Sequence, residues 1–119
     1  MSAMREILQK LNQQANILGS MVITPDGIMV AAVLQPELEE DKVAAFTSSL
    51  LITLKRGLSQ LKTNGTLSFC TLNASEGKLV FFDMNNSFLV VVTQPNTQIA
   101  SRIVAIEQAI DEIQKRQVA

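Results

Sequence analysis

Five strand-like segments constrain this chain more than any other feature, because most of them are apolar on both alternating faces. They read GSMVIT (Gly19 to Thr24), IMVAAVL (Ile28 to Leu34), TLSFCTLNA (Thr66 to Ala74), KLVFFDM (Lys78 to Met84) and SFLVVVT (Ser87 to Thr93). A strand with no polar face belongs to a sheet covered on both sides. Three helical patterns can supply the covers, in the order helix, two strands, long helix, three strands, helix. The predicted class is α+β: three layers, helix/sheet/helix, around a five-stranded and mostly antiparallel sheet. The length of 119 residues suits one domain spanning 1–119.

The first helix is predicted from Ala3 to Asn16, with Met4, Ile7, Leu8, Leu11 and Ala15 on one face and Ser2 as N-cap. Thr24-Pro25-Asp26-Gly27 is a turn signal that joins the first two strands as a hairpin. Pro36 ends the second strand. Glu37, Glu39, Glu40 and Asp41 then place negative charge at a helix start, where the peptide dipoles favour it. That helix is predicted to run to about Thr63, with Asn64-Gly65 as its C-cap. The last three strands read as a meander closed by Asn73 to Lys78 and by Asn85-Asn86-Ser87. Asn96 or Thr97 is expected to cap the last helix. Its Ile99, Ile103, Ile106, Ile110 and Ile113 are read as core.

The long helix has an apolar stripe of Val43, Phe46, Leu50, Leu54 and Leu61, widened by Leu51 and Leu58, which is expected to face the sheet. The opposite side carries Ala45, Ser48, Ser49, Ile52 and Ser59, with Lys55 and Arg56 beside them. Two readings stand: a bland solvent face, or a surface where small uncharged residues let a second backbone approach. The third strand bears on the choice. Placed at a sheet edge, LSFCTL would be an aggregation hazard unless paired or covered. Pairing with the same strand of a second copy would cover it, together with the two long helices. The candidate interface is therefore Ala45, Ser48, Ser49, Ile52, Lys55, Arg56 and Ser59 on the helix, with Leu67 and Phe69 on the strand. The apolar pattern alone leaves several strand orders open.

Chemistry is poorly supplied. There is no histidine, and no GxxxxGK[ST] or GxGxxG loop. No two carboxylates are spaced to divide acid and base roles. Catalytic, cofactor-binding and metal-ligating residues are accordingly expected to be none, and an enzyme is not expected. Ten basic residues against 11 acidic give a net charge of −1, and the aromatics are five Phe. That balance offers no footprint for nucleic acid. No apolar run approaches a bilayer span, so membrane insertion is not expected. The single Cys70 is read as a buried thiol. With no signal-peptide pattern, the expected location is cytoplasmic. Met21, Met29 and Met84 have two readings, the lining of a ligand pocket or core filling, and core filling is preferred.

The ordered set from about Arg5 to Ile113 resembles the roadblock / dynein light chain family, with its profilin-like or longin-like fold. The parts that carry the likeness are the first helix with Leu8 and Leu11, SMVITPDGIMVAA, AAFTSSLLITLKRGLSQL, GTLSFCTLNASEGKLVFFDMNNSFLVVVT and a closing helix. Family members often have Gly before the last strand, where this chain has Asn85-Asn86. Many have a Leu-Gly pair near the last helix, where this chain has Asn96-Thr97-Gln98-Ile99. The resemblance implies a homodimer or heterodimer that binds a small Ras-like GTPase and modulates its nucleotide cycle. It also allows a structural subunit of a motor or signalling assembly. A small-ligand sensor is a third reading, from the layered architecture alone.

Overall fold

The computed structural model describes residues 3–50 and 69–118, apart from residues 16, 25, 27, 37, 44, 48 and 76. Helix α1 (Ala3–Ala15) leads into strands β1 (Gly19–Ile23) and β2 (Met29–Leu34). Residues 40–43, 45–47 and 49–50 are helical and form the described part of α2. Strands β3 (Phe69–Ala74), β4 (Gly77–Asp83) and β5 (Phe88–Thr93) follow, then helix α3 (Ile103–Val118). The five strands form one antiparallel sheet in the order β2-β1-β5-β4-β3. Thus β3 is an edge, as the dimer argument required, and β2 is the other.

The central strand β5 and its neighbour β1 are buried at every position. Their residues divide between two cores according to the strand period of two. On one face, Val22, Val80, Phe82, Leu89 and Val91 pack with Leu8 and Leu11 of α1 and Ile106 and Ile113 of α3. On the other, Met21, Ile23, Phe81, Phe88 and Val90 are approached by Val43 and Leu50 of α2. Met21 and Met84 are core residues, and Met29 packs against the second core.

One glycine is required by close approach: a Cβ on Gly77 would meet the Thr93 carbonyl oxygen at 2.8 Å, whereas one on Gly19 would meet the movable Leu34 Cδ2 at 2.6 Å. The β4–β5 turn uses Asn85 at φ 76°, with its N–H donating to Asp83 Oδ1 at 2.9 Å. Asn takes the left-handed conformation here in place of glycine.

The last helix starts differently from expectation. Neither Asn96 nor Thr97 is its cap. A 3₁₀ turn, Ile99–Arg102, precedes α3, and Gln98 sits at the cap position with no side-chain cap bond. Thr97 is buried, and its carbonyl accepts the Lys78 ammonium at 2.6 Å. The expected Ser2 and Asn64-Gly65 caps lie outside the described residues. Among the described residues, no helix is long and apolar enough to cross a membrane.

Polar groups also tie α1 to the sheet. Asn12 Nδ2 donates to the Val33 carbonyl at 3.0 Å, and the fully buried Ser20 Oγ donates to Asn12 Oδ1 at 2.7 Å. Arg5 Nη1 donates to the Ala32 carbonyl at 2.6 Å. Asn12→Ala should cost about 1–3 kcal/mol, because it strands a buried hydroxyl. Ser20→Ala should cost less, and the double variant less than the sum; denaturant unfolding of all three checks this. Gly77→Ala should cost about 1–3 kcal/mol through forced backbone movement, read in the same way.

Candidate protein-binding edge

Strand β3 pairs with β4 over six unbroken positions, from Phe69↔Phe82 to Ala74↔Gly77. The two-residue loop makes Ala74↔Gly77 a hydrogen-bonded pair, and antiparallel alternation then carries that state to Leu72 and Cys70. The main-chain groups of Phe69, Thr71 and Asn73 therefore point outward, away from β4. The strand FCTLNA contains no proline, no charge and no bulge. These are the usual devices that discourage edge pairing, and β3 lacks all of them.

Side chains on β3 follow the same alternation. Phe69 is 43% exposed and lies 5.5 Å, centroid to centroid, from the Phe82 ring on the α1/α3 face. Cys70 and Leu72 pack toward the α2 face. Cys70 is half-buried instead of buried, because an edge strand has a neighbour on one side only.

Helix α2 supplies the other part of the site. Leu38 N–H donates to the Gln35 carbonyl, and Val43 N–H to the Glu39 carbonyl. Glu39 and Lys42 form an exposed ion pair at 3.1 Å, which by its exposure adds little stability. Val43, Thr47 and Leu50 are turned toward the sheet; Thr47 is fully buried, its hydroxyl donating to the Val43 carbonyl at 2.6 Å. Ala45 and Ser49 are exposed on the opposite side, where the helical wheel placed them. Ser49 Oγ donates to the Phe46 carbonyl at 3.0 Å. Of the predicted interface, the structure thus places Ala45, Ser49 and Phe69 at the surface. Ser48, Ile52, Lys55, Arg56, Ser59 and Leu67 lie outside the described residues.

Phe46 departs from its expected role. It is 53% exposed, at the mouth of a groove of about 580 Å³ between α2 and the sheet. Leu50, Leu72, Leu79 and Val92 line its apolar walls. None of Met21, Met29 and Met84 lines it. Among the described residues, no group of three His, Cys, Asp or Glu is placed to hold a metal ion.

The family model described as Roadblock/LC7 domain matches residues 4–93. The uncharacterized protein MJ0310 of Methanocaldococcus jannaschii is 27% identical over 107 residues, covering 90% of this chain and 93% of that protein. A Roadblock/LC7 domain from Streptomyces avermitilis superimposes with a TM-score of 0.81 at 11% identity, covering 99% of this chain and 100% of that one. Myxococcus xanthus MglB superimposes with a TM-score of 0.78 at 15% identity, covering 97% and 94%. At such identities the two structural likenesses are likenesses of fold.

The burial difference between Phe46 and Phe81 is directly measurable. Phe46→Ser should cost less than about 1 kcal/mol, as an exposed site does. Phe81→Ala, at 0% exposure, should cost about 3–5 kcal/mol. Equilibrium unfolding of both variants decides it.

Proposed function

Since the chain belongs to the Roadblock/LC7 domain family, we propose that it is a non-enzymatic, two-copy regulator or scaffold that binds a small Ras-like GTPase and modulates its nucleotide cycle. The observation that carries this reading is the position of β3, apolar and in unbroken register, at the edge of the described sheet, on the same chain as the exposed small residues Ala45 and Ser49 of α2. Two such edges, related by a two-fold axis, would join two sheets and bring the two α2 helices together. Ser48, Ile52, Lys55, Arg56, Ser59 and Leu67 belong to the proposed contact on the evidence of sequence alone. The GTPase enters through the family.

A second reading, a structural subunit with no effect on hydrolysis, shares the same edge and differs only in what the pair of copies holds. Affinity capture from native cell extract, run with a GTP analogue and separately with GDP, separates the two. Capture of a Ras-like GTPase only with the analogue supports the regulator. Capture of the same non-GTPase subunits in both states supports the structural subunit.

The assembly itself has a sharper test. Thr71→Pro removes an N–H that points away from β4, so the internal ladder is kept. It should convert the two-copy form to a single copy with an unchanged far-UV spectrum. Ile52→Asp should do the same through the helix. A folded Thr71→Pro variant that still sediments as a pair would refute pairing through β3. If hydrolysis is stimulated, Arg56→Ala should leave most of the stimulation intact, because ordering of the partner's own catalytic loop needs no arginine finger.

A further inference from the structure

The two sheet edges are built differently, and the difference lies in residues that the proposed pairing does not use. On β2, Val22 faces Ala31 and Ile23 faces Met29, so Val30 has no partner and forms a bulge in an edge strand. A bulge bends and twists the edge where it sits. Val30 is 49% exposed.

Two residues further on, Ala32 presents its main-chain groups outward. This follows from the Gln35 N–H donating to the Leu18 carbonyl, which makes residues 35, 33 and 31 the ones that face β1. The outward carbonyl of Ala32 is occupied by Arg5 Nη1 at 2.6 Å. A charged side chain thus lies on the outer rim of β2, next to a break in its register. Both are recognised ways of closing a strand edge. By contrast, β3 is regular and uncharged over its whole described length.

We infer that Arg5 and the Val30 bulge form a guard that prevents a second copy of this chain from adding to the β2 edge. The guard makes the sheet extensible from one side only. This rests on β3 as the pairing edge, since a sheet that pairs β3 to β3 and is also open at β2 would go on adding copies instead of closing as a pair.

The test uses the full chain and three variants: Arg5→Ala, deletion of Val30, and the two combined. Sedimentation over rising concentration reads mass, and amide hydrogen exchange reads which edge is used. The wild type should stop at one assembly size. The combined variant should form species of at least twice that mass, growing with concentration, with the Ala32 and Leu34 N–H groups newly protected. Adding Thr71→Pro should then cap the combined variant at pairs joined through β2.

A folded combined variant that keeps the wild-type mass at every concentration overturns the guard. So does growth that leaves the Ala32 and Leu34 amides as exchangeable as in the wild type. If deletion of Val30 prevents folding, Arg5→Ala alone decides by the same two readouts, with Arg5→Lys expected to restore the wild-type size. A monomeric wild type would instead count against the β3 reading, and the β2 amides of the variants would still report on the guard.

Discussion

Strands β1 and β5 have no side that tolerates water, and the remaining architecture follows from that constraint. Each fully buried Val, Leu, Ile or Phe contributes about 1.5–3 kcal/mol, but only when both faces are covered. Helices α1 and α3 cover one face, and α2 approaches the other. The flanking strands β2 and β4 are less buried at their ends, and no described side chain of β3 is fully buried. Burial therefore falls off from the middle of the sheet outward. The proposed contacts with other molecules lie where it has fallen furthest.

The helix α1 does more than close a layer. Asn12 links a buried hydroxyl of β1 to a carbonyl of β2, while Arg5 reaches the next carbonyl along. Among the described residues, no buried side-chain nitrogen or oxygen lacks a partner. A satisfied polar link between a helix and two strands fixes their relative position more narrowly than apolar packing does, because the bonds are directional and the contacts are not.

Much of this was legible in the chain itself. The doubly apolar runs required a covered sheet, Thr24 to Gly27 signalled the first hairpin, and Asn85 stood where the backbone turns left-handed. Strand order was not legible, since β3 and β4 are similarly apolar and only the three-dimensional register separates edge from interior. Arg5 and Asn12 fall off the apolar face of the first helix, and helical spacing alone gives no sign of their bonds to the sheet. The available clue was Ser20, a lone hydroxyl in an apolar strand, which had to find a partner. Phe46 shows another limit. A helical wheel gives the direction of a side chain but not the distance from helix to sheet. The cap at Gln98 was missed because the chain tightens into a 3₁₀ turn before the helix proper.

The position of β5 has a temporal consequence. Among the described strands it is the last in chain order, and it lies in the centre of the sheet. During synthesis the β1–β2 hairpin is complete at Leu34, yet its second neighbour is complete only at Thr93, 59 residues later (93 minus 34). At about 5–20 residues per second that interval is roughly 3–12 s. Throughout it, the bare side of β1 is Gly-Ser-Met-Val-Ile, a main-chain edge available to any passing strand. The nascent chain therefore has its greatest need of chaperone cover between Leu34 and Thr93, and that need ends when β5 closes the gap.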